Sequence, residues 1–272
     1  MNLSREQLLS EMGIAPQWKL RDQPSVGREA NKAVVSAPPV EAPAVLDPVI
    51  RQNNVTEAPK LFESDIQVER LDERLGNSLG SSDWGELRQS IAECRACELC
   101  QERQLVVPGV GDEQADWLFI GEGPGAEEDE QGEPFVGQAR RLLDAMLAAI
   151  DLKRGANVYI TNVVKCRPPG NRTPKEAEIE ACMPYLKRQI AMLQPKLMVL
   201  LGKVAANSLL GNDSSLGSLR GKVATYRDGE REIPVVVTYH PAYLLRTLPD
   251  KAKAWEDLCL ARRVMRDCGE AK

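Results

Sequence analysis

DWLFIGEGPGAEEDEQGEPFVGQARRLLDAMLAAI fills residues 116–150 and changes period partway along. DWLFIGE (116–122) is a short, continuous apolar run, the pattern of a strand buried on both faces. GQARRLLDAMLAAI (137–150) places apolar residues at helical spacing. A glycine-rich, acidic loop joins the two. The unit therefore reads as strand, functional loop and helix.

The same alternation continues downstream. NVYITNVV (157–164) reads as a strand, TPKEAEIEACMPYLKRQIAML as a helix and KLMVLLG (196–202) as a strand. A short helix through Leu210, a strand IPVVVTYH (233–240) and a last helix from Pro249 to Cys268 complete the pattern. Apolar strands alternating with amphipathic helices predict an α/β fold, in three layers, with a mostly parallel central sheet covered by helices on both faces. Ligands in such folds bind beyond the carboxyl ends of the strands. Those ends carry GEGPG, the Asn162–Arg172 loop, Gly202 and HPAYLLR, so the chemistry is expected there.

The 272 residues allow one large domain or a domain with appendages. No apolar run approaches the roughly 18 residues of a membrane span, and the N-terminus MNLSREQLLSEMGI carries charge where a signal peptide is apolar. A cytoplasmic protein without a membrane partner is expected. The net charge of −5 is uneven, with 9 Lys/Arg against 13 Asp/Glu in residues 1–85. The rest of the chain is nearly neutral, with basic clusters at Lys165, Arg167, Arg172 and Lys175 and again at Arg246, Lys251, Lys253, Arg262, Arg263 and Arg266. Each cluster suits either a phosphate backbone or an ordinary solvated face.

Three zones follow from composition. Residues 1–22 hold a short amphipathic helix: Ser4 and Gln7 have capping-box spacing, and Leu8, Leu9, Met12 and Ile14 precede Trp18 and Leu20. So short a helix must dock on something to persist. Residues 23–81 include SAPPVEAPAVLDP and lack either period, which predicts a disordered, extended linker. Residues 82–272 form the folded domain.

Seven cysteines in a reducing compartment point to ligation rather than to disulfides. Cys94 and Cys97 form a C-x2-C hook; Cys166 and Cys182 follow, 16 positions apart. Four thiolates hold either zinc or an iron–sulfur cluster, and the wide second gap does not suit a zinc knuckle. Cys100 rivals Cys97 as a ligand. Cys259 and Cys268 fall on the final helix and read as ordinary core or surface residues.

In GEGPGAEEDEQGEPFVGQA (121–139), small residues at the strand end let backbone amides approach a ligand, but G-x-G-x-x-G is absent and dinucleotide binding is not indicated. TNVVKCRPPGNRTP adds an amide side chain, Asn162, at a strand end. HPAYLLR holds His240, the chain's only histidine.

Read together, these motifs make residues 86–272 resemble the family 4 uracil-DNA glycosylases, the iron–sulfur class of bacteria and archaea. The residues that carry the resemblance are Cys94, Cys97, GEGPG followed by ED and PFVG, TNVVKCRPPGNRTP, Cys182 and HPAYLLR. It implies excision of uracil from DNA by N-glycosidic cleavage, with a 4Fe-4S cluster on Cys94, Cys97, Cys166 and Cys182. Phe135 would stack on the flipped base, Gly123 would let backbone approach it, and Asn162 would read its edge. His240 would stabilise charge on O2, and Glu122 or, as second choice, Glu128 would position water. One departure is Arg140, which stands where the family pattern after PFVG has a glycine.

LLSEMGIAPQWKLR resembles the start of the psi subunit of bacterial DNA polymerase III, pseudomonad-type, on Leu8, Met12, Gly13, Ile14, Trp18, Leu20 and Arg21. That likeness implies docking on the clamp-loader ATPase subunits, and contact with the chi subunit. Two classes of function follow: a glycosylase tethered to the replisome, or a clamp-loader subunit that uses the glycosylase fold as a chi-binding scaffold.

Overall fold

A computed structural model describes residues 83–270; the short N-terminal helix, its anchors Leu8, Met12, Trp18 and Leu20, and the linker lie outside the described residues. The order is α1 (Trp84–Glu93), β1 (Val110–Gly111), β2 (Trp117–Gly121), α2 (Ala126–Gln131), α3 (Gln138–Ala148), β3 (Val158–Asn162) and α4 (Glu176–Leu193). There follow β4 (Leu197–Leu201), α5 (Lys203–Leu210), α6 (Leu216–Leu219), β5 (Val223–Asp228), β6 (Arg231–Thr238), α7 (Pro241–Arg246) and α8 (Lys251–Glu270).

The sheet runs β1-β3-β2-β4-β6-β5. Its four central strands are parallel and both edge strands antiparallel. Every residue of β2, β3 and β4 is buried, because successive side chains enter different cores. Leu118, Ile120, Met198 and Leu200 meet Ile91 of α1, Leu186 and Ile190 of α4 and Ala205 of α5. Trp117, Phe119, Leu197 and Val199 meet Leu143 and Met146 of α3, Leu244 of α7 and Leu258 of α8. The result is the three-layer, mostly parallel architecture that the sequence predicts. Burying one such leucine fully stabilises the fold by about 1.5–3 kcal/mol.

The connection β2–α3–β3 leaves β2 on one side, and β3–α4–β4 returns to its other side across the opposite face. The crevice at that reversal, between the carboxyl ends of β2 and β4, is the place where this topology admits a ligand.

Six elements lie outside the alternation read from the sequence, α1, β1, α2, α6, β5 and α7, and two of them are the edge strands. β1 is only two residues long. β5, VATYRD, is largely exposed and charged, so it has no buried run to announce it; it exists by pairing with β6 from Val223↔Val236 to Asp228↔Arg231.

Candidate active site

Gly121 closes β2 and lies directly beside Asn162, the last residue of β3. The pairing continues past the strands: the Val163 amide donates to the Gly121 carbonyl at 2.9 Å and the Val164 amide to the Glu122 carbonyl at 3.2 Å. These bonds fix Glu122 and Asn162 side by side. A Cβ on Gly121 would fall 2.4 Å from Asn162 Oδ1 and 2.9 Å from the Phe135 ring. Glycine is therefore required for the two side chains to converge. Gly202, at the end of β4, has φ +98°, and a Cβ there would lie 3.3 Å from His240 Cβ. All four parallel strands thus end on one site.

Asn162 is buried, yet its Oδ1 has no hydrogen-bond partner among the described residues. An acceptor left open in the interior costs about 1–3 kcal/mol, which a matching donor would recover. Phe135, also buried, takes the left-handed conformation at φ +55°, a rare state for a bulky side chain. Its ring stacks on His240 at 5.2 Å between centroids and 25° between planes. Arg154 braces that backbone, donating to the Pro134 carbonyl at 3.1 Å and the Phe135 carbonyl at 3.4 Å, while its Nε bonds Asp144 at 3.0 Å.

His240 caps α7, and its Nδ1 accepts from the Ala242 amide at 3.2 Å. Nδ1 therefore carries no proton, so the neutral ring carries its hydrogen on Nε2. Burial, with the nearby Arg246 charge, pushes the imidazole pKa down to about 4. At neutral pH His240 is an uncharged Nε2–H donor.

The two acidic candidates differ. Glu122 is half-buried, and desolvation raises its pKa above the ordinary carboxylate value, partly offset by a hydrogen bond with Thr173. Glu128 uses both oxygens on backbone: one accepts from Gly125 at 3.0 Å and the other from Val136 at 3.1 Å. It closes α2 against the Phe135 turn. Gly123 lies under Val164, with its Cβ position 2.7 Å from Val164 Cγ2. Arg140 runs along α3 toward Asp144, 3.5 Å away, rather than standing as a lone charge.

Cys94, Cys97, Cys100, Cys166 and Cys182 line one cavity with Ile91, Ala96, Ala181, Arg103, Lys165 and Tyr185. Burial pushes Cys97 up to about 11 and Cys182 up to about 12. Arg103 donates to Cys166 Sγ at 3.0 Å and anchors itself on the carbonyls of Ala92 and Cys94. Among the described residues no three His, Cys, Asp or Glu side chains gather tightly enough for a single metal ion. Thiolates on a cluster bind separate irons and stand farther apart, so this donor set fits a cluster better than one zinc. Cys259 and Cys268 are half-buried on α8, away from the cavity lining.

The first basic cluster is largely committed. Lys165 is fully buried, Arg172 makes a two-bond pair with Glu178 at 2.6 and 2.8 Å, and Lys175 lies 3.3 Å from Glu98. In the second, Lys251 is buried, Lys253 bonds Asp250 at 2.8 Å and Arg262 pairs with Asp151. Residue-type reasoning overlooked Lys165, Thr173 and Arg154 as parts of the site. The first two stood inside the quoted loop, and only their partners distinguish them from surface residues.

A model of the uracil DNA glycosylase superfamily matches residues 108–259, spanning β1 to the middle of α8. The type-4 uracil-DNA glycosylase of Pyrobaculum aerophilum is 41% identical over 182 residues, which cover 65% of this chain and 92% of that protein. The type-4 uracil-DNA glycosylase of Sulfurisphaera tokodaii is 44% identical over 164 residues, 59% of this chain and 74% of its own. That of Thermotoga maritima is 40% identical over 185 residues, 68% and 90% respectively.

Proposed function

The chain belongs to the uracil DNA glycosylase superfamily, and from that premise we propose that it flips uracil out of DNA and hydrolyses its N-glycosidic bond. The observation that carries the reading is the buried, unpartnered Oδ1 of Asn162. Uracil offers a donor at N3–H and an acceptor at O4; the Asn162 amide supplies the complementary acceptor and donor. Cytosine presents the reverse pattern and would leave the same buried amide mismatched.

Phe135 offers the flipped base a stacking face. As the bond from C1′ to N1 breaks, its electron pair moves into the base, and negative charge collects on O2. His240, held as the neutral Nε2–H tautomer by the Ala242 amide, donates to that oxygen. A fixed donor aimed at developing charge contributes about 10²–10³ in rate. Glu122 faces the cationic sugar, orients the water that attacks C1′ and takes its proton. Glu128, with both oxygens on backbone, braces the loop instead.

The cysteine cavity is assigned to a 4Fe-4S cluster on Cys94, Cys97, Cys166 and Cys182, with Cys100 at its rim. Bound there, the cluster would cross-link the end of α1, the loop after β3 and α4, a structural task. Residues 1–22 are assigned as a clamp-loader tether, 23–81 as its linker and 82–272 as the cytoplasmic enzyme domain. The tether rests on the psi-like residues alone. Trp18→Ala with Leu20→Ala should abolish association with clamp-loader ATPase subunits and leave excision on short oligonucleotides unchanged.

The decisive assay is alkaline cleavage of a single-stranded oligonucleotide holding one uracil, beside matched strands holding cytosine or thymine. Strand scission at uracil alone is the expected outcome. No scission at uracil would leave the scaffold reading, in which the domain binds the chi subunit.

A further inference from the structure

Lys165 is 1% exposed, and all three of its ammonium protons are matched. Nζ donates to Thr161 Oγ1, the Asn162 carbonyl and Gln189 Oε1, each at 2.7 Å. A lysine so deep forfeits its hydration, and no carboxylate is among these acceptors. The cost purchases a rigid three-point anchor.

That anchor stands where the sheet runs out. β1 pairs with Tyr159 and Ile160 only, so the ladder on that edge of β3 stops short of Asn162. Beyond it the Thr161 hydroxyl and Gln189 Nε2 both donate to the Pro108 carbonyl, at 2.9 and 2.7 Å. Lys165 adds the donor that a neighbouring strand would have given to Asn162. On its far side, its own backbone amide donates to Cys182 Sγ at 3.3 Å. One residue therefore touches both the backbone of the base-reading asparagine and a thiol of the cysteine cavity.

We propose that Lys165 is a positioning residue for uracil excision, fixing the main chain of Asn162 through a three-acceptor anchor with Thr161 and Gln189. This rests on the glycosylase reading above. Asn162 must present its amide to the base edge, and a displacement of about 1 Å can cost on the order of 10² in rate. A lysine serving only to stabilise the fold would leave base recognition intact in any variant that folds.

The test uses full-length protein purified with its cysteine site loaded, with iron and sulfide content measured for every variant. Lys165→Met keeps the side-chain length and removes three donors. Gln189→Leu and Thr161→Val each remove one acceptor and keep the decision open if the lysine variant fails to fold. Single-turnover excision should slow by about thirtyfold or more in Lys165→Met and by roughly five- to tenfold in the other two. KM for the oligonucleotide should move less than about threefold, since Asn162 contacts only the flipped base. Affinity for free uracil, measured by ligand-observed NMR, should fall in parallel. Wild-type excision and wild-type uracil affinity in folded, iron-replete Gln189→Leu and Thr161→Val would overturn the proposal. A wild-type chain that releases no uracil overturns the glycosylase reading instead, while the uracil-affinity comparison still judges Lys165.

Discussion

The carboxyl ends of β2 and β3 and the cysteine cavity lie on either side of one segment, residues 162–182, and they are built on opposite principles. At the strand ends the geometry is tight: Gly121 admits no Cβ, Phe135 is held in a strained backbone state, and the buried Asn162 Oδ1 stays open. In the cavity, thiols are brought together without partners sufficient to ionise them, and burial drives Cys97 and Cys182 upward. The first region is preorganised and awaits a substrate edge. On the proposed cluster assignment the second would be completed by the cationic charge that buried thiolates require.

The sharpest test of preorganisation is Gly121→Ala. Its methyl group would occupy the space of Asn162 Oδ1 and the Phe135 ring, so single-turnover excision should fall by about a thousandfold or more, with the cysteine site still able to load. Comparable activity in this variant would break the contrast at its first term.

The second region should answer in stability. Cys182→Ser removes a buried donor that joins α4 to the loop after β3, and should lower the melting temperature by about 10 °C or more with loss of bound iron. Cys268→Ser on α8 should change it by less than about 1 °C. Equal melting curves, or zinc in stoichiometric amount, would refute the cluster assignment.

Side-chain roles within the first region separate next. His240→Ala should slow excision about a hundredfold with KM little changed, because the lost hydrogen bond strengthens only as charge develops on the base. Glu122→Gln should be comparably damaging. Glu128→Gln should cost about 1 kcal/mol of stability by weakening two backbone bonds, and less than about tenfold in rate.

The last effect concerns pH. His240 has a folded pKa of about 4 against 6.5 for the free side chain. Between those values the unfolded chain binds a proton that the native one refuses, so stability is complete above about 6.5 and is lost as pH falls toward 4. The loss amounts to at most roughly 3 kcal/mol. Glu122, whose pKa is raised, acts with the opposite sign and recovers part of it. His240→Gln should therefore flatten the decline in urea midpoint between pH 6.5 and 4.5. A decline identical to wild type would assign it to other groups.

Periodicity and local chemistry determined much of this protein in advance. Runs such as WLFIG and LMVLL can be satisfied only between two helical layers, and the alternation of strand and helix then places GEGPG, Asn162, Gly202 and His240 at one edge of the sheet. Spacing and type also led the sequence to expect Cys94, Cys97, Cys166 and Cys182 to act together, with Cys100 as a rival, and these five line one cavity. The antiparallel edges were not, since β5 has no intrinsic pattern and is created by its partner β6. Sequence placed Glu122 ahead of Glu128 but could not give their surroundings: the tertiary structure turns Glu128 onto backbone amides and leaves Glu122 half-buried at the end of β2. Lys165 shows the same limit, reading as one charge in a basic cluster until the fold carries it inside and surrounds it with three oxygens. A side chain's type is local, whereas its partners, and therefore its ionisation and its role, are set by elements distant in the chain.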